Sequence, residues 1–146
     1  MRQGNTTLFL ILLVCAATIM PLHAQVSINA LNTAYTEDFN TLITSGSVSW
    51  VNNSTISGWY HARTGTGDLL VAGNGGSTAG ALYSFGTGTS TERALGSIGS
   101  GNAAVENLWW GVRLVNNTGG PVTALNISYY GEQWRYSGTA AAQTVE

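Results

Sequence analysis

The chain has a single cysteine, Cys15, and it lies inside an apolar run near the N-terminus. No pair of thiols exists to form a disulfide. The globular part must therefore be held by packing alone, unlike the many small secreted domains that rely on cross-links. Lysine is missing altogether, and five arginines stand against seven acids for a net charge of −2. Without a basic run nothing can neutralise a phosphate backbone, which excludes nucleic acid as a partner and an anionic membrane surface with it. Histidine is scarce: His23 sits in the N-terminal stretch, leaving His61 as the one imidazole beyond it. A Ser or Cys nucleophile needs a His base held by a carboxylate. No Gly-x-Ser-x-Gly motif occurs, and His61 within Gly58-Trp59-Tyr60-His61-Ala62-Arg63 reads as a surface or rim side chain. A zinc site needs three or four His, Cys or carboxylate ligands, and no plausible set is offered. Glu37, Asp38 and Asp68 carry the hard oxygens calcium prefers, but they read as exposed strand-end charges. The expectation is a protein without catalytic residues, metal or cofactor.

What is present begins with the N-terminus. Arg2 is followed by an unbroken apolar run from Leu8 to Met20, then Pro21-Leu22-His23-Ala24. A basic start, a short apolar core and a small residue at the cut describe a secretory signal peptide, residues 1–24. The run is too short for a bilayer-spanning helix, which needs about 20 residues, so no membrane span is expected. The inferred localisation is secreted, extracellular or cell envelope. A lipid anchor at Cys15 is disfavoured by the bulky Val14 before it.

Beyond the signal there is almost no helical periodicity. A short stretch, 25–34, reads as linker, and residues 35–146 read as one all-β domain. Strands are expected at Thr36–Leu42, Val48–Val51, Trp59–Ala62, Leu69–Val71, Ala81–Phe85, Arg93–Ile98, Leu108–Val115, Ala124–Trp134 and Gln143–Glu146. Between them lie Gly- and Asn-rich turns such as Gly73-Asn74-Gly75-Gly76 and Asn116-Asn117-Thr118-Gly119-Gly120-Pro121. Frequent short strands with regular turns favour a jelly-roll-like antiparallel β-sandwich. Gly73–Gly80 has no lysine and no helix after it, so it reads as a covering loop and not as a phosphate cradle. The last residues look like a strand just starting, so the domain is expected to be incomplete, the leading part of a longer protein.

Leu108–Val115 and Ala124–Trp134 are expected to pair as a hairpin. Alternation then buries Trp110, Val112, Leu114, Leu125, Ile127 and Tyr129, together with Leu82 and Leu95 elsewhere. The other face would gather Trp109, Arg113, Tyr130, Glu132 and Trp134. Flat rings flanked by Arg and Glu suit sugar recognition, the rings packing on C–H surfaces while the charges bond hydroxyls. The plainer reading of the same set is an Arg113–Glu132 ion pair beneath a loop, with tryptophans packed around it.

A series of motifs occurs in order: Asp38-Phe39-Asn40-Thr41-Leu42, Ser57-Gly58-Trp59-Tyr60, Leu82-Tyr83-Ser84-Phe85-Gly86, Glu92-Arg93-Ala94-Leu95-Gly96-Ser97, Gly111-Val112-Arg113-Leu114, Asn116-Asn117-Thr118-Gly119 and Gly131-Glu132-Gln133-Trp134-Arg135. Together they resemble an N-terminal β-sandwich module of large secreted bacterial proteins, some bearing a C-terminal sorting signal and others an endonuclease/exonuclease/phosphatase-type domain. The resemblance implies no catalytic residues. Three functions follow as expectations. The first is a non-catalytic extracellular structural or adhesion module, and the second a carbohydrate-binding module. The third is the leading module of a secreted phosphodiesterase whose catalytic domain lies outside this sequence. The partners so implied are an extracellular glycan or cell-surface components.

Overall fold

The computed structural model describes residues 25–135. The signal-peptide reading of 1–24 and the strand expected at Gln143–Glu146 lie outside the described residues. Within them the chain is all-β, without a helix. Its strands are β1 Val26–Ile28, β2 Ser47–Ser49, β3 Trp59–Arg63, β4 Leu69–Gly73, β5 Ala81–Phe85, β6 Ala94–Ile98, β7 Leu108–Val112 and β8 Leu114–Asn116. They form a four-stranded sheet of order β2-β4-β5-β6, a two-stranded ribbon β3-β7 and a two-stranded pair β1-β8.

Strand β5 is central because its sequence, Ala81-Leu82-Tyr83-Ser84-Phe85, has no residue that needs water on either face, and all five are buried. Leu82 meets Leu42, Trp50, Ile56, Leu70 and Leu95 in the main core, onto which Trp59 of β3 and Leu108 of β7 also pack. The β3-β7 ribbon thus lies over one face of the four-stranded sheet. Alternation sends Ala81, Tyr83 and Phe85 to the other face, where Trp134 joins them. There the rings of Tyr83 and Phe85 stack at 4.9 Å, and those of Phe85 and Trp134 at 5.8 Å with an interplanar angle of 6°.

β4 and β5 are parallel neighbours, so the Asn74–Gly80 connection must run back along the sheet. It lies over the Tyr83 face. The Tyr83 hydroxyl meets Ser77 Oγ at 3.2 Å and donates to the Ala79 carbonyl at 2.8 Å. The Arg135 guanidinium donates to the carbonyls of Gly75, Gly76 and Ser77, each at 3.2 Å. The expected covering loop is present, and what it covers is the second face of β5.

Three expectations are corrected. Thr36–Leu42 is not a strand. Glu37 Oε1 accepts the Phe39 N–H and Asp38 Oδ1 the Asn40 N–H, local bonds that turn the chain and compete with sheet pairing. Residues 25–34 are not all linker, since β1 pairs in parallel with β8. Most consequentially, the 108–134 hairpin does not form. Arg113 splits the expected first strand: its N–H donates to the Gly58 carbonyl at 2.8 Å and its own carbonyl accepts from Val26 N–H at 3.0 Å. The chain before it pairs with β3 and the chain after it with β1. Ala124–Trp134 is left without a partner strand. Leu125, Ile127 and Tyr129, expected in the core, are 52%, 76% and 72% exposed, and Trp110 is 40% exposed. Leu82 and Leu95 are buried as expected, and Val112 and Leu114 are half-buried.

Leu82→Ala should cost about 2–5 kcal/mol in urea unfolding, the usual range for a fully buried leucine. Gly58→Ala should also destabilise clearly. Gly58 adopts φ +80°, and an added Cβ would stand 2.6 Å from Val26 Cγ2. Unchanged denaturation midpoints in these two variants would refute the placement of the core and of β1 respectively.

Candidate functional site: an aromatic face on the β3-β7 ribbon

The β3-β7 register sets each side chain's face. Trp59 is opposite Val112, His61 opposite Trp110, and Arg63 opposite Leu108 on the inward side. The outward side carries Tyr60 opposite Gly111 and Ala62 opposite Trp109. A large ring therefore faces a small residue in both outward pairs. Gly111 has open space above it, since a Cβ built there meets nothing within 4 Å. The result is a shallow groove of about 480 Å³ bordered by Tyr60, His61, Trp109, Trp110 and Arg113. Trp109 is 55% exposed, a large apolar ring given to solvent where a core position was open to neighbouring residues.

The groove floor is fixed from beneath. Asn52 Oδ1 accepts the His61 N–H at 2.7 Å and Trp50 Nε1–H at 2.8 Å, while its Nδ2 donates to the His61 carbonyl at 3.1 Å. One amide side chain thus occupies the backbone groups of His61 that a further strand would otherwise take. Trp59, below, donates through Nε1 to the Tyr35 hydroxyl at 3.0 Å, and its ring meets Phe39 edge-on at 4.8 Å. Trp110 leans on Trp59, with ring centroids 6.3 Å apart.

The residues singled out from sequence separate into three places. Trp109 and Arg113 share the groove. The Arg113 guanidinium is exposed and has no hydrogen bond or ion pair among the described residues. Trp134 lies on the four-stranded sheet instead, against Phe85, and its Nε1 donates to Glu132 Oε2 at 2.8 Å. Tyr130 is fully exposed and belongs to no strand. The Arg113–Glu132 ion pair is not made. Tyr60, His61 and Trp110 were not among the selected residues. Only the register of β7 against β3 brings them to the groove, and no local sequence signal fixes a register between strands so far apart.

Chemically, the groove offers ring faces, one free guanidinium and a neutral imidazole. His61 Nε2 accepts from Arg63 Nε at 3.2 Å. Burial, with the Arg63 charge adding to it, lowers the His61 pKa below its ordinary 6.5, and Asp68 opposes this only in part. Among the described residues no three His, Cys, Asp or Glu side chains are grouped to hold a metal ion, and no helix is long and apolar enough to cross a membrane. Comparison of the chain with protein-family models, with curated proteins and with solved structures found no match.

The lowered His61 pKa has a pH consequence. Between the ordinary value and the lower folded one the unfolded chain binds the extra proton, so stability rises with pH across that window. The contribution is complete above about 6.5 and is lost as pH falls through the folded value. His61→Gln should flatten the slope of unfolding free energy against pH just below 6.5. A slope identical to that of the parent would show that His61 is not held neutral by the fold.

Proposed function

We propose that this chain is a non-catalytic extracellular adhesion module, a jelly-roll-like sandwich from an exported bacterial protein, and that it holds carbohydrate on the Trp109 face. The observation that carries this reading is Trp109 itself, 55% exposed on the outward side of β7, beside Gly111 and across from Ala62. Small neighbours leave the indole face open to a flat ligand. A pyranose ring presents an apolar C–H face that packs on such a ring, and its hydroxyls accept from a free guanidinium such as Arg113. Sites of this kind place a few polar groups around an apolar surface. The scarcity of charge around the groove favours a neutral, hydroxyl-rich partner over a charged one. Two-layer packing behind it, through Trp59 and Leu108, keeps the platform rigid, which limits the ordering cost of binding. The signal-like N-terminus and the ordered motifs support export and the module family. The absence of an assembled nucleophile and base in the groove supports a binding role.

The test is a glycan array followed by fluorescence titration with whatever binds. Trp109→Ala should abolish binding while changing stability by no more than about 0.5 kcal/mol, as expected of an exposed position. Trp134→Ala should do the reverse, lowering stability through loss of the Phe85 stack and leaving binding intact. Absence of binding to any glycan, or binding retained in Trp109→Ala, would overturn the carbohydrate reading.

A further inference from the structure

A second site lies at the end of the four-stranded sheet, away from the aromatic groove. Arg93, just before β6, is only 2% exposed, and no carboxylate pairs with it among the described residues. One edge of its guanidinium is committed to Ser84, Nε donating to Oγ at 2.9 Å and Nη2 to the carbonyl oxygen. Ser84 in turn donates through Oγ to the Ile43 carbonyl at 2.7 Å. Nη1 is buried and has no hydrogen-bond partner. A buried charge with unmet donors is costly, and proteins that keep one generally supply it with a counter-charge.

The surroundings show where that counter-charge would come from. Arg93 borders a cavity of about 230 Å³ with Thr44, Ser45, Asn74, Gly86 and Gly88. Nη1 lies against Gly86, where a side chain could not fit without displacing it. No side chain of Gly86 therefore stands between the guanidinium and the cavity. The wall otherwise offers two hydroxyls and an amide, and no acid. We propose that this cavity binds a hydroxylated monocarboxylate of about monosaccharide size, the sugar-acid class, its carboxylate on Arg93 Nη1 and its hydroxyls on Thr44, Ser45 and Asn74. Charge selects the anion. One guanidinium with no second cation in the wall is neutralised by one carboxylate, whereas a phosphate monoester at about −1.5 to −2 would leave unmatched negative charge. Volume agrees: the cavity equals roughly seven waters at about 30 Å³ each.

The site is independent of the Trp109 face, so its test uses thermal melting and calorimetric titration of the full chain with galacturonate, galactose, acetate and inorganic phosphate. Galacturonate should raise the melting temperature in a concentration-dependent way. Galactose should not, and acetate should bind at least about tenfold more weakly, a difference of roughly 1.4 kcal/mol. Ser45→Tyr, a change at an exposed rim position, should close the cavity and remove the galacturonate response without loss of fold. Trp109→Ala should keep it. Arg93→Gln should lose it too, but Ser45→Tyr decides the matter even if Arg93→Gln fails to fold. An oligogalacturonate arm separates the sources: binding of both forms assigns the end of a polymer, binding of the monomer alone a free sugar acid. No response to galacturonate, an equal response to phosphate, or a response surviving Ser45→Tyr would overturn the proposal.

Discussion

Everything else in the fold depends on β5 being buried on both faces. A strand with one wet face needs only one layer above it, but Ala81–Phe85 requires cover on both sides. On one side the cover is the β3-β7 ribbon, which delivers Trp59 and Leu108 to the main core. On the other it is the Asn74–Gly80 connection and Trp134, locked together by the three carbonyl bonds from Arg135. Small residues are needed wherever the rings on that second face crowd the sheet. At Gly96 a Cβ would stand 2.8 Å from the Phe85 ring, so β6 can lie beside β5 only without a side chain there.

The display of Trp109 follows from the same constraint. Because the ribbon must face the main core with Trp59 and Leu108, alternation turns Trp109 and Tyr60 outward. Arg113 then ends the pairing with β3 by giving its N–H to Gly58 and its carbonyl to Val26, which hands the chain over to β1. A residue selected from sequence as a ligand contact thus also serves, through its backbone, as the corner between two sheets. Only its side chain is left for the groove.

Much of the strand pattern is legible in the sequence because β5, β6 and β7 are short apolar or alternating runs bounded by glycine-rich turns. Ala81–Phe85 and Leu108–Val112 stand where the pattern puts them. Pairing is another matter. Leu108–Val115 and Ala124–Trp134 both alternate well and a turn-like segment joins them, so local rules favour a hairpin. Yet β7 gains more from β3, whose Trp59 completes the core, and that preference is set by residues distant in sequence. The candidate site was read from the hairpin, so only the members on β7 and its corner, Trp109 and Arg113, remain together. Arg93 was legible only as part of a strand. Its burial depends on Ser84 and Asn40 arriving from other segments.

The parallel pairing of Val26–Ile28 with Leu114–Asn116 joins opposite ends of the described chain. Such a contact adds little until the intervening segment is already compact, because loop closure costs entropy before any bond repays it. The four-stranded sheet, built from strands closer in sequence, is the natural early structure, and the β1-β8 pair is the last to close. Gly58 and Arg113 meet Val26 at that seam, so the molecule's kinetic resistance to unfolding should be governed there more than in the core.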